Sequence, residues 1–211
     1  MSPITVAEIT VADPAEAWTR AGFCVDADAG CLIGGVRIQL VGRDRGAGII
    51  GWSLRGLTAA GPLDGIPTTR SDTGAAPPAE HVNGATSIDH VVVFSPDLDR
   101  TVDAFAAVGA QPRRERDGEL GGRAIRQVFF RFGEVIVEVV GSPEATDEGP
   151  ATLWGITFNV ADIDATAAFL GEHTTSVKDA VQPGRRITTL RHKDFGMSVR
   201  TAMISPPILS A

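Results

Sequence analysis

The sequence predicts an α+β protein in which two tandem βαβββ modules curl into a half-barrel, preceded by a shortened βαβββ-type module. Three observations predict it. An internal repeat comes first: Ile88 to Asp99 (IDHVVVFSPDLD) superposes on Leu153 to Asp164 (LWGITFNVADID), with Asp97 on Asp162, Leu98 on Ile163 and Asp99 on Asp164 at a shift of 65. The match resumes at a shift of 63, with Arg123 on Arg186, Phe132 on Phe195 and Gly133 on Gly196. Secondly, each copy runs from a short β-branched stretch through a helical stripe to further β-branched stretches. Finally, the N-terminal third carries a partial third copy.

The elements follow in order. Val6 to Ala12 reads as a strand, and Asp13-Pro14 is placed to cap a helix running through Trp18 to Ala21. Gly35 to Gly42 matches Glu134 to Gly141 in pattern, and Ile49 to Leu54 resembles the strand at Leu153, with Trp52 laid on Trp154. Residues 58–85 turn to Gly, Pro, Ala, Thr and Ser with little periodicity and read as a linker. The expected organisation is a shortened module at 1–57, that linker, and a paired unit at 86–205. In the first full module Ser95-Pro96 supplies an N-cap and N1 pair, and Leu98, Val102, Phe105 and Ala106 form a helical stripe ending at Gly109. Strands are predicted at Ile125 to Phe132 and Val135 to Val140, turning at Gly133. In the second module Ile163, Thr166, Ala167 and Leu170 repeat the stripe, and strands follow at Arg186 to Leu190 and Met197 to Met203, turning at Lys193-Asp194. One helix over each sheet leaves the other sheet face free to line a cavity. The N-terminal strands are too few and short to stand alone, so they are expected to dock and bury Trp18 or Trp52.

Composition narrows the function. The 211 residues carry 19 Lys+Arg against 26 Asp+Glu, a net charge of −7, and 43% are hydrophobic, ample for a core. No Lys/Arg run offers the positive patch that a nucleic acid or an anionic membrane surface requires. Apolar runs such as Val135-Ile-Val are cut by charges far short of the roughly 20 residues that span a bilayer. The N-terminus lacks a basic, then apolar, leader, so a cytoplasmic protein is expected. Cys24 and Cys31 lack zinc spacing and read as small hydrophobes flanking a turn, with a disulfide or redox role as the alternative. The absence of tyrosine removes phenolic acids and nucleophiles. Gly46 to Gly51 satisfies G-x-G-x-x-G, yet Gly56 and Gly61-Pro62 follow where a helix is required, so no nucleotide cofactor is expected. His81 in the linker and His173 and His192 in loop-like segments complete no nucleophilic triad.

Asp89-His90-Val-Val-Val, Ser95-Pro-Asp-Leu-Asp99 and Phe129 to Val140 together carry a resemblance. Residues 86–205 resemble a vicinal oxygen chelate (glyoxalase/bleomycin-resistance/dioxygenase) domain, and the N-terminal third resembles a degenerate module of the same kind. The resemblance implies a glyoxalase-like half-barrel in which each module offers one metal ligand from its first strand and one from its last. His90 and Glu138 match those positions in the first module, and alternation groups His90 with Val92 and Phe94, and Glu138 with Ile136 and Val140. In the second module Gly155 and Thr201 fall where the other two ligands belong. The implied function is binding of a small oxygenated metabolite, with a metal-assisted lyase, isomerase or epimerase activity in which Glu138 is the base and His90 a ligand or polarising donor. The implied cofactor is a divalent metal: zinc, nickel, manganese or iron. An extradiol dioxygenase is disfavoured, because its iron needs two histidines and a carboxylate. The alternative is a non-catalytic drug- or metabolite-binding protein of bleomycin-resistance type. His90 and Glu138 stay open between metal ligands, a metal-free pair in a cavity, and a structural pair with Glu138 held by Arg126 or Arg131. Gln39 and Glu8 are candidates to complete a composite site, with Ser53 laid opposite Gly155 by the tryptophan match. Arg126 and Arg186, with Arg123 and Arg185 beside them, and Gln39 are the substrate-binding candidates. The resemblance implies that modules pair within a chain or between chains, so a homodimer is one of the two expected assemblies.

Overall fold

The computed structural model describes residues 3–74 and 77–207. In chain order its elements are β1 (Thr5–Val11), α1 (Ala15–Arg20), β2 (Gly30–Ile33), β3 (Val36–Leu40), β4 (Ile49–Arg55), β5 (Thr68–Arg70), β6 (Ala85–Phe94), α2 (Leu98–Ala107), β7 (Arg114–Leu120), β8 (Arg123–Phe132), β9 (Val135–Gly141), β10 (Thr152–Val160), α3 (Ile163–Leu170), β11 (Lys178–Asp179), β12 (Arg186–Thr189) and β13 (Arg200–Ile204). They form an eight-stranded sheet in the order β11-β12-β13-β10-β6-β9-β8-β7 and a five-stranded sheet in the order β2-β3-β1-β4-β5.

Strand pairing in the large sheet repeats the sequence repeat. Each module sets its first strand parallel to its last, β6 with β9 and β10 with β13, and the two modules meet antiparallel through β6 and β10. Across that seam His90 faces Thr157 and Val92 faces Gly155. Exchanging the modules therefore maps His90 onto Gly155 and Val92 onto Thr157, which is the shift of 65 expressed as geometry.

The small sheet follows the same plan. β1 lies parallel to β3 and antiparallel to β4, and β4 lies parallel to β5. The pair β4–β5 thus keeps only the first and last strands of a second module. A Cβ at Gly51 would lie 2.9 Å from the Pro67 carbonyl oxygen, and one at Gly155 would lie 2.9 Å from that of Arg200, the same close approach in both sheets. The stretch 58–85, expected as a linker, supplies β5 and buries Leu63, Ile66 and His81. Its turn at Asp64 is held on α2 by Arg100 and Thr101.

Two local expectations change. Asp97 caps α2 in place of Ser95, accepting from the Arg100 N–H at 3.0 Å, and Asp162 caps α3. Asp13 does not cap α1; its carboxylate instead accepts from Trp18 Nε1 at 3.1 Å and from the Ser198 N–H at 2.9 Å. β7 is a strand that periodicity does not predict, since RERDGEL has no apolar alternation and lies at a sheet edge.

The core lies between the sheets. Val91, Val93, Val137, Val139, Phe130 and Phe132 are buried on one face of the large sheet, while His90, Val92, Ile136 and Glu138 are half-buried on the other. The small sheet joins the buried face through Trp52, whose ring stacks on Phe132 at 5.7 Å, and through Trp18, edge-on to Phe158 at 6.2 Å. Full burial of such side chains stabilises by about 1.5–3 kcal/mol each. Among the described residues no helix is long and apolar enough to cross a membrane.

Candidate functional site

The open face of the first module is built by alternation. Val92 and Glu138 are register partners on β6 and β9, and Phe129 on β8 is the partner of Glu138. His90 and Glu138 therefore stand on neighbouring strands and face the same way, with His90 Nε2 3.7 Å from Glu138 Oε2. A cavity of about 430 Å³ opens over them, and the sheet curls enough that Ile187 and Ile204 of the second module line it too.

A β-bulge supplies the polar partners. Thr157 pairs with His90 and Phe158 with Ile88, so Asp89 is the extra residue between them. Such a residue leaves the ladder and its side chain is re-aimed. Asp89 Oδ1 lies 2.8 Å from His90 Nδ1, and Asp89 Oδ2 lies 2.8 Å from Arg185 NH1, both Asp89 and Arg185 being about 5% exposed. Burial alone would raise the Asp89 carboxyl, but the hydrogen bond and charge of His90, together with the Arg185 guanidinium, hold it below its usual value. Arg185 also donates to Asn159 Oδ1 and to the Ser205 carbonyl. On the far side, Gln127 Nε2 donates to Glu138 Oε1, and Arg116 Nε donates to Gln127 Oε1 at 2.8 Å. A polar line, Arg185–Asp89–His90–Glu138–Gln127–Arg116, thus runs from the buried Arg185 and Asp89 into the cavity, which it lines from His90 onward. With Nδ1–H directed to Asp89, His90 turns Nε2 toward the cavity.

Four arginines, Arg113, Arg114, Arg116 and Arg131, line the same cavity against one carboxylate, Glu138. Arg114 and Arg116 lie 5.9 and 5.7 Å from the Phe129 ring centroid. This balance of charge suits an anion.

Sequence reasoning placed some residues elsewhere. Gln127 faces the cavity, so Arg126 points to the other face of β8 and pairs with Asp117 at 2.7 Å. Likewise Ile187 faces inward and Arg186 outward, 2.7 Å from Asp164. Gln39 and Glu8 belong to the small sheet; Gln39 bonds Arg37 and the Asp28 carbonyl, and neither residue lines the cavity. The composite site is therefore not assembled. Trp52 faces the core at 2% exposure whereas Trp154 is 37% exposed; the equivalence of Gly51 with Gly155 lays Trp52 on Ile156, two residues from the tryptophan match, and Ser53 pairs with Glu8. His81 accepts from the Cys24 N–H and bonds the Leu32 carbonyl, and both cysteines are free. The glycines at 46–51 run straight into β4. The sequence signals missed were the polar β7, which carries Arg114 and Arg116, and the bulge at Asp89.

The register also corrects the second module. His90 pairs with Ile136 and Gly155 with Arg200, so two residues further Ala202 takes the place corresponding to Glu138. Thr201 faces the core, 2% exposed, and donates to the Val199 carbonyl. One residue of slip moves a side chain to the other face. Neither Gly155 nor Ala202 has a donor atom, and a side chain at 155 would meet the Arg200 backbone. Among the described residues no group of three or more His, Cys, Asp and Glu is placed to hold a metal ion. Catalytic zinc sites use three protein ligands. Two donors ringed by arginines do not fit a resident divalent metal.

The profile of the Glyoxalase/Bleomycin resistance protein/Dioxygenase superfamily matches residues 87–192. Among solved structures, a triple mutant of 4-hydroxymandelate synthase from Streptomyces coelicolor aligns over 100% of this chain and 94% of its own, at 13% identity and a TM-score of 0.69. A xylose isomerase-like TIM barrel/4-hydroxyphenylpyruvate dioxygenase fusion protein aligns over 100% of this chain and 50% of its own, at 13% identity and a TM-score of 0.61. Methylmalonyl-CoA epimerase from Mycobacterium tuberculosis aligns over 59% of this chain and 91% of its own, at 17% identity and a TM-score of 0.46. At such identities the first two likenesses concern the fold alone. A search of curated proteins finds no match.

Proposed function

This chain belongs to the Glyoxalase/Bleomycin resistance protein/Dioxygenase superfamily, and from that premise we propose that its half-barrel binds a small anionic oxygenated metabolite and isomerises or epimerises it without a resident metal. The observation that supports this most is the polar line that passes through His90 and Glu138 in a cavity lined by four arginines. The arginines hold the ligand's carboxylate or another charged oxygen. Glu138 takes a proton from the carbon beside a carbonyl; the C–H electron pair forms the C=C bond, and the carbonyl electrons take a proton from the His90 imidazolium, giving an enol. Returning the two protons, to the other face or the neighbouring carbon, completes the change with no further reactant. Asp89 keeps the imidazole oriented throughout.

The test is hydrogen exchange. Incubated in D₂O with a panel of small 2-oxo and 2-hydroxy acids, the protein should exchange the acidic C–H of a bound member, seen by proton NMR. Glu138→Gln should lower that rate by about 100-fold or more while binding persists. Binding without exchange for every member would sink the catalytic reading. It would favour the non-catalytic binder, which the Gln127 hydrogen bond on Glu138 and the donorless Gly155 and Ala202 also suit.

A further inference from the structure

A second cavity, of about 570 Å³, lies beside the first over β10 and β13. Its geometry is set by another bulge. Leu153 pairs with Val93 and Gly155 with Val92, leaving Trp154 as the extra residue, the counterpart of Asp89 at the shift of 65. In one module the bulge carries the carboxylate that holds His90; in the other it carries an indole beside the side-chain-free Gly155. Trp154 is 37% exposed, whereas Trp18 and Trp52 are 0% and 2% exposed. The Arg200 guanidinium lies 4.7 Å from the indole centroid, and the Phe94 ring lies 4.8 Å away. Gly155 and Ala202 leave the floor flat, and Arg191, Lys193 and Arg200 make the lining positive despite Asp194. The two cavities adjoin: Thr157, which lines the second, is the register partner of His90, which lines the first.

We propose that the groove half over β10 and β13 is a subsite for a planar aromatic ring, so that the ligand reaching His90 carries an aromatic body seated against Trp154 and Arg200. The proposal rests on the reading of His90 and Glu138 as the site of the oxygenated head. Charge complementarity favours it: an electron-rich ring attached to an acid matches a guanidinium, an open indole and a positive wall.

The experiment compares 4-phenylbutyrate with 4-cyclohexylbutyrate, acids of equal chain length differing in aromaticity, by calorimetry and by Trp154 fluorescence, the other two indoles being buried. The wild type should bind the phenyl acid at least about fivefold more tightly, with a change in Trp154 emission. Trp154→Leu and Arg200→Gln should each bring the two affinities within about twofold. Arg116→Gln should weaken both acids alike and leave their ratio unchanged. Equal affinities in the wild type, or a preference that survives both Trp154→Leu and Arg200→Gln, would overturn the aromatic subsite. So would a concentration-dependent dimer, dissolved by Trp154→Leu, that covers the indole. If Arg116→Gln has no effect while Trp154→Leu still erases the preference, the subsite stands and the placement of the head at His90 and Glu138 falls.

Discussion

Replacing Asp13 with alanine should loosen the seam between the two sheets. The Asp13 side chain is fully buried and accepts from Trp18 Nε1, the Ser198 N–H and the Ser198 hydroxyl, with Arg43 NH1 at 3.1 Å. Arg43 is 41% exposed, so its ion pair adds little. The cost comes from the buried donors left without an acceptor, at about 1–3 kcal/mol each. The Ser198 hydroxyl can rotate to another partner, which brings the total to about 4 kcal/mol. For a chain of 150–250 residues, roughly 2–4 °C of melting temperature is lost per kcal/mol, so Asp13→Ala should melt about 8–16 °C lower. Circular dichroism on heating and urea titration would measure this. Because Trp18 and Trp52 place both sheets on one core, the transition should stay single. In a double-mutant cycle with Ser198→Ala the two losses should fall short of additive by about 1 kcal/mol or more. A variant melting within about 2 °C of the wild type, or unfolding in two separate steps, would refute the reasoning.

Other consequences follow from the same contacts. Arg185→Met strands the buried Asp89 carboxylate with His90 alone and should cost about 3–5 kcal/mol in urea unfolding; a loss under 1 kcal/mol would count against the pairing. Burial holds His81 below the ordinary histidine value, so below about pH 6.5 the unfolded chain binds the extra proton. This stability is present above about pH 6.5 and is lost as the pH falls, so the gap between wild type and His81→Gln should narrow from about pH 7.5 to about pH 5.5; a constant gap would contradict it. Removing residues 1–85 bares the faces of Phe132 and Phe158, so the truncated protein should aggregate or melt lower; monodispersity by size-exclusion chromatography with an unchanged melting temperature would contradict that.

Much of this architecture is legible in the residues because repeats and alternation report backbone period. The shift of 65 returns as the His90–Thr157 and Val92–Gly155 pairs, and alternation alone puts His90 and Glu138 on faces that meet. What periodicity cannot register is a one-residue insertion. The bulges at Asp89 and Trp154 have no period-two signature, yet they deliver the histidine's carboxylate and the exposed indole. The match of Glu138 to Thr201 failed for a related reason, because sequence similarity anchored at Gly133 and Gly196 fixes a turn and not the register beyond it. Position in a strand points to Arg126 and Arg186, but their neighbours Gln127 and Ile187 hold the inward parity. β7 hid its arginines because a polar edge strand looks like a loop.

The measurement that bears most directly on the site is calorimetric titration of chelator-treated protein with the small 2-oxo and 2-hydroxy acids. If four arginines and the His90–Glu138 pair suffice, one equivalent of a favoured acid binds without added metal, and Arg116→Gln weakens it by about tenfold or more. Adding zinc, nickel, manganese or iron should then change the affinity by less than about twofold. Binding that vanishes with the chelator and returns with one of these metals would contradict the account, because it would make His90 and Glu138 metal ligands.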